Sequence, residues 1–209
     1  MNQPDPAVAA PGAAVRPPST ADYIAFHAAQ RPDAIAVIDG ARRVTWDRFH
    51  NDLRRVTHAL RGFGLAPGRF AAVEWTTLYS HWLLLLGFEN LGVATTTYMP
   101  GNWQREPLLD LMDLVICTPD KVPEGDFRVH RLTREWLAAV LGDSPPDDAA
   151  PVARPPDAPN HVIKGSGTTG STKLMIRTNA ANEFLTAQLA LNAGFTRESR
   201  YLLTLGFGI

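Results

Sequence analysis

A single cysteine, Cys117, leaves no internal disulfide framework and fits a reducing compartment. Neither sign of charge prevails. The net charge of −1 offers nothing to draw a nucleic acid or an acidic membrane surface. Long apolar runs are also missing: the tightest, "WLLLLGF" at 82–88, is far too short to span a bilayer. The opening "MNQPDPAVAAPGAAVRPPST" is broken by prolines and Asp5, so it reads as a disordered leader, residues 1–19, and not as a signal peptide. The six histidines, at 27, 50, 58, 81, 130 and 161, have no metal-ligand spacing with each other or with Cys117. No internal repeat is present. These absences describe a soluble, cytoplasmic chain of 209 residues, long enough for one generous domain or two small ones.

What is present alternates between two periods. Ser19-Thr20-Ala21-Asp22 reads as a capping box opening a helix that runs to about Arg31-Pro32. "AIAVIDGARRVTW" predicts a hairpin turning at Asp39-Gly40. Phe49, Leu53, Val56 and Leu60 then mark one apolar face of a helix. Arg48, Arg54, Arg55 and Arg61 lie largely off that face, interleaved with Asp47 and Asp52, which reads as a solvated surface and not a phosphate patch. "RFAAVEW" predicts a strand, "TLYSHWLLLLGFENLG" a mostly buried helix, and "VATTTYM" another strand. A short helix near Glu106 to Met112, the strand "LVICT" and the helix "LTREWLAAVLG" follow. Cys117 and His81 sit in apolar runs and are expected to be a buried small residue and a satisfied structural histidine. Residues 143–160 are rich in proline and acid and read as a solvated linker. Two strands, "HVIKG" and "KLMIRTN", a helix from about Ala180 to Ala193 and a strand "YLLTLGFGI" complete the pattern. The fold class expected is α/β: a mostly parallel sheet with helices on both faces. The organisation expected is a leader (1–19), a first α/β subdomain (20–142), the linker (143–160) and the start of a nucleotide-binding portion (161–209).

Between the two late strands, Gly165 to Lys173 holds three glycines, five hydroxyl side chains and a lysine. Glycines let backbone N–H groups converge on an anion. Ser166, Thr168, Thr169, Ser171 and Thr172 add short-reach donors, and Lys173 adds a mobile positive charge. No carboxylate stands in the loop to repel a polyphosphate. The arrangement is not a P-loop: Gly165 and Gly170 have that spacing, but Ser171 occupies the lysine position, and the following residues read as strand instead of helix.

Ser166-Gly167-Thr168-Thr169-Gly170-Ser171-Thr172-Lys173 resembles the phosphate-binding signature of the adenylate-forming enzymes: acyl- and aryl-CoA ligases, peptide-synthetase adenylation domains and luciferase. Their pattern is Ser-Gly-(Ser/Thr)-Thr-Gly-x-Pro-Lys, and seven of the eight positions agree, with Thr172 in place of proline. The continuation "KLMIRTN" is more similar to the aryl-acid-activating branch than to the commoner Lys-Gly-Val. From Thr20 onward, "TADYIAFHAAQRPD…" and "FAAVEW…TTTYMP" are similar to the family's opening elements.

The resemblance implies a two-step reaction. A carboxylate attacks the α-phosphate of Mg2+-bound ATP, giving an acyl- or aryl-adenylate and pyrophosphate, and a coenzyme A or carrier-protein thiol then takes the acyl group. It implies that Ser166, Gly167, Thr168, Thr169, Gly170, Ser171, Thr172 and Lys173 hold the β- and γ-phosphates, with Lys173 and Thr169 assisting the leaving pyrophosphate. It also implies that the family's remaining parts lie elsewhere: the acidic magnesium ligand, the adenine site, most of the acyl pocket and the mobile C-terminal domain. Gly206-Phe207-Gly208-Ile209 stands where the family shows Pro-x-x-His. The chain is therefore expected to be a fragment or one half of a split ligase, inactive alone and completed by a C-terminal chain. Two alternatives are a non-catalytic binding or regulatory subunit on the same fold, and an unrelated nucleotide-binding domain.

Overall fold

A computed structural model describes residues 18–99, 108–142, 144, 146, 152, 154–165, 173–196 and 198–203. Its first helix, α1 (Thr20–Gln30), opens on the expected capping box: the Ser19 hydroxyl accepts from the Asp22 amide, and the Asp22 carboxylate accepts from the Ser19 amide. Strands β1 (Ile35–Asp39) and β2 (Arg42–Thr45) form the antiparallel hairpin at Asp39-Gly40. Thr45 then caps α2 (Trp46–Arg61) by accepting from the Arg48 amide. Phe49, Leu53, Val56 and Leu60 are buried, as their spacing demands. They face α3 (Leu78–Asn90), which is apolar almost all round and buried to match. Gly87 lets the two helices approach: a Cβ there would sit 2.8 Å from Leu60 Cδ1 and 3.2 Å from Val56 Cγ1.

The main sheet contains β3 (Phe70–Glu74), β4 (Ala94–Tyr98), β5 (Leu114–Cys117), β6 (Arg128–Arg131), β7 (Pro159–Lys164) and β8 (Leu174–Thr178). Its order is β6-β5-β3-β4-β7-β8, parallel at every pairing except β7–β8. Alternation along the strands divides the core in two. Ala71, Val73, Leu114 and Ile116 face the layer built by α1, α2, α3 and the later helix α4 (Arg134–Gly142). Ala72, Val115 and Cys117 face the opposite way, against Tyr98, Leu108, Leu109, Met112 and Val162. The last helix, α5 (Asn179–Asn192), follows β8 directly, with Thr178 as its cap.

The structure departs from the sequence pattern in several places. Strand β6 has no counterpart in the sequence pattern, because "RVHR" has no apolar alternation; it is recruited by pairing with β5 over four residues. Of the helix expected near Glu106 to Met112, the described residues, from Leu108 on, hold a single 3₁₀ turn, Leu109–Leu111; residues 100–107 lie outside those described. Tyr201–Leu203 are not in a strand, and the rest of "YLLTLGFGI" also lies outside the described residues. In the described part of 143–160, Ser144, Pro155, Pro156 and Asp157 are exposed, while Val152 and Arg154 are anchored. The Val152 amide donates to the Asn90 carbonyl (2.9 Å), and Arg154 Nη1 lies 2.6 Å from Glu89 Oε1. Asn179 Oδ1 accepts from Asn160 and Arg154, while its Nδ2 donates to the Pro155 carbonyl at 2.8 Å. The leader, apart from Pro18 and Ser19, is not among the described residues.

The arginines on α2 also differ from the solvated face expected of them. Asp52 is fully buried and accepts from Arg48 Nε at 2.9 Å, Arg55 Nη1 at 3.0 Å and the Tyr79 hydroxyl at 3.0 Å. Its hydrogen bond raises the Arg48 pKa further, and burial raises that of Tyr79.

Candidate functional site: the β7–β8 hairpin mouth

The Gly-Ser-Thr loop joins β7 to β8. The ladder pairs His161 with Arg177, Val162 with Ile176, Ile163 with Met175 and Lys164 with Leu174. One more rung closes it, where the Gly165 amide donates to the Lys173 carbonyl at 2.7 Å. A Cβ on Gly165 would lie 3.3 Å from that carbonyl oxygen, which accounts for glycine at the mouth. Of the residues expected to bind phosphate, the structure describes Lys173, exposed at the start of the return strand. Ser166, Gly167, Thr168, Thr169, Gly170, Ser171 and Thr172 lie outside the described residues.

Position and charge both favour an anionic ligand. Because β7 runs parallel to β4, the loop after Lys164 opens at the carboxyl ends of the parallel strands, the side on which α/β sheets bind ligands. Val162, fully buried in the second core cluster, fixes the hairpin to the sheet. From Asn160 to Thr178 the chain has no Asp or Glu, and it carries Lys164, Lys173 and Arg177. This donor set suits the phosphates of ATP, with several hydroxyls and cations and no competing carboxylate. Among the described residues, no group of three or more His, Cys, Asp or Glu could hold a metal ion, so none is assigned to Mg2+.

A polar row beside the hairpin has no signature in any single segment of the sequence. His81 is fully buried on α3, with Nδ1 3.0 Å from the Glu74 carbonyl and Nε2 2.9 Å from Thr97 Oγ1. A carbonyl only accepts, so Nδ1 carries the proton and the Thr97 hydroxyl donates to Nε2. Burial pushes the His81 pKa down to about 4, so the ring is neutral. On the neighbouring strand, His161 Nδ1 meets Thr95 Oγ1 at 3.2 Å, and its Nε2 is buried without a partner. Burial, then Arg177, holds His161 down to about 4. Glu74 ends β3 and accepts from the Thr118 amide and hydroxyl. Cys117 is buried, its thiol pushed up to about 11 chiefly by burial, in keeping with a structural role. The one local trace of the row is the alternation in "VATTTYM", which places Thr95 and Thr97 on one face beside histidines distant in sequence.

No protein-family model matches the chain. It is 30% identical over 166 residues to the fatty acid–[acyl-carrier-protein] ligase ScoC of Streptomyces coeruleorubidus, covering 71% of this chain and 30% of that protein. It is 27% identical over 207 residues to a salicylyl-CoA synthase / salicylate adenylyltransferase of a Streptomyces species, covering 84% and 37%. The fold matches the crystal structure of the nonribosomal peptide synthetase FmoA3 with a TM-score of 0.74 at 19% identity, over 90% of this chain and 20% of that one. The chain belongs with the adenylate-forming enzymes. It spans about a third of the length of the curated relatives named here, and its sheet and helices match the N-terminal domains of the superfamily.

Proposed function

We propose that this chain is the phosphate-loop portion of an ATP-dependent carboxylic-acid ligase. In that role the loop grips the β- and γ-phosphates of Mg2+-ATP while a carboxylate oxygen attacks the α-phosphorus. The bond from the α-phosphorus to the bridging oxygen breaks, and pyrophosphate leaves with the developing charge. Lys173 and the hydroxyls of Ser166, Thr168, Thr169, Ser171 and Thr172 supply fixed positive charge and donors to that leaving group, and backbone amides at Gly167 and Gly170 add to them. A coenzyme A or carrier-protein thiol then takes the acyl group from the adenylate. The observation that carries this reading is the hairpin mouth itself. Gly165 and Lys173 are bonded at the carboxyl end of a strand parallel to β4, and the sequence between them is glycine, serine and threonine without a carboxylate.

The acid is proposed to be aromatic, on the residues Leu174 to Thr178 after the loop and on the similarity to a salicylate-activating protein. The 20–142 and 161–209 portions form the first subdomain and the start of the nucleotide-binding portion, within a cytoplasmic enzyme. The test is carboxylate-dependent exchange of labelled pyrophosphate into ATP. It is run on the chain alone and on a hybrid in which the chain replaces the matching part of ScoC, with aryl and aliphatic acids offered separately. Exchange by the hybrid is expected, with the acid that the ScoC portion of the pocket admits. Binding of ATP with no exchange by any assembly would replace this reading with that of a non-catalytic subunit.

A further inference from the structure

Strand β7 leads into the glycine-rich segment, yet its hold on the parallel sheet is short. β3 registers with β4 from Phe70–Ala94 to Glu74–Tyr98, and β5 with β6 from Leu114–Arg128 to Cys117–Arg131. β4 and β7 register at a single pair, Thr95 with His161. Beyond that pair the two strands take different partners. Thr97 Oγ1 bonds the His81 ring on α3, while Ile163 and Lys164 register with Met175 and Leu174 of β8. The side chains of the one shared pair are bonded as well: Thr95 is buried, and its Oγ1 lies 3.2 Å from His161 Nδ1. Val162, the next residue, is fully buried among the opposite core cluster. At the base of the hairpin, Asn160 and Arg154 both donate to Asn179. The hairpin is thus fastened at its base and at 161–162, and Ile163, Lys164 and Gly165 extend past the last pairing with β4.

His161 holds this place at a cost, because its Nε2 is buried without a hydrogen-bond partner. An apolar strand residue such as valine would pack at 161 without that loss. What the ring supplies is the Nδ1 bond to β4. We propose that His161 is a positioning residue. With Thr95 it latches the β7–β8 hairpin to β4, and so fixes where Gly165 and Lys173 stand relative to the parallel strands. At about 3.3 Å per residue, Gly165 lies roughly 13 Å along the strand from His161, so a small rotation at the latch becomes a larger displacement at the mouth. The inference rests on the proposed function for what the mouth binds; the latch itself is a property of the two strands.

The test compares Thr95→Val, which keeps the shape and loses the hydroxyl, with Thr95→Ser, which keeps the hydroxyl, and with His161→Asn, which leaves an amide near the place of Nδ1. Amide hydrogen exchange is measured on the full chain at residues 161–165, with β3 and β5 as internal reference. Thr95→Val is expected to speed exchange there about tenfold and to leave β3 and β5 at the parent rates, while Thr95→Ser and His161→Asn stay close to the parent. Parent rates at 161–165 in Thr95→Val would overturn the latch, and so would an equal rise across β3 and β5, which marks ordinary destabilisation. In the ScoC hybrid, Thr95→Val should raise the KM for ATP about tenfold with the KM for the acid unmoved, and Thr95→Ser should restore it. A purely structural role would lower the apparent kcat and leave both KM values alone. A loosened hairpin with an unchanged KM for ATP would therefore overturn the positioning role. If the unsubstituted hybrid exchanges no pyrophosphate, the proposed function fails by itself, and the amide exchange of the full chain still decides the latch.

Discussion

Gly165 and Lys173 are joined by a single backbone hydrogen bond of 2.7 Å, the last rung of the β7–β8 ladder. Lys164 before the rung ends β7, and Leu174 after it begins β8. The rung therefore fixes the backbone of Gly165 and Lys173 to each other. Because a Cβ on Gly165 would crowd the Lys173 carbonyl, Gly165→Val is expected to open the rung and cost roughly 1 kcal/mol of stability. Urea unfolding measures the loss, and amide exchange at residue 165 reports the rung. Unchanged protection at that amide would show that the mouth tolerates a side chain.

The buried pair Arg154–Glu89 ties the proline-rich segment to α3. Burial raises the Glu89 pKa and Arg154 opposes that shift, so each group depends on the other. Arg154→Ala is expected to destabilise the fold by roughly 3 kcal/mol, since it strands a carboxylate in the interior. The double replacement Arg154→Met with Glu89→Gln should recover most of the loss. Thermal unfolding of the three variants checks this, and an Arg154→Ala protein as stable as the parent would contradict it.

Asp52 makes a parallel case on α2. Asp52→Ala removes the acceptor shared by Arg48, Arg55 and the Tyr79 hydroxyl and is expected to cost roughly 3 kcal/mol. Tyr79→Phe removes one donor from a carboxylate that keeps its arginines, so about 1 kcal/mol is expected. Denaturant midpoints of the two variants should fall in that order.

Acid should weaken the fold through its buried histidines. The pKa values of His81 and His161 lie near 4 in the folded chain and near the ordinary 6.5 when it unfolds. Between those values the unfolded chain binds more protons, so stability falls as the pH drops from about 6.5 toward 4. For His81 the full effect is on the order of 3 kcal/mol. Glu89, with its raised pKa, acts in the opposite sense, so the informative quantity is the difference between the parent and His81→Gln at each pH. That difference should shrink steadily from pH 7 to pH 4.5 in urea melts; a constant difference would contradict the neutral, Nδ1-protonated His81.

Much of this architecture is legible in the sequence because the relevant signals are local. Ser19 and Asp22 announce α1, Asp39-Gly40 announces the hairpin, and the spacing from Phe49 to Leu60 marks the face that α3 buries. What is not legible depends on contacts between distant residues. Strand β6 exists because β5 offers it an edge, not because "RVHR" favours extension. Asp52 reads as solvated beside its arginines, and only the packing of α3, which brings Tyr79 over it, makes it a buried acceptor. Arg154 sits in a stretch whose composition reads as linker, yet Glu89 and Asn179 converge on it from two helices. For the candidate site, residue types and spacing identify the loop; the parallel pairing of β7 with β4, which sets the loop at the carboxyl end of the sheet, requires the fold.

The most direct test of the central claim is the pyrophosphate–ATP exchange rate of the hybrid carrying Lys173→Ala, with Lys121→Ala as the control. If Lys173 holds the leaving pyrophosphate, its removal should slow carboxylate-dependent exchange by about a hundredfold while the Lys121 variant keeps the parent rate. Equal rates for Lys173→Ala and the parent would contradict the assignment of this hairpin as the phosphate-binding element.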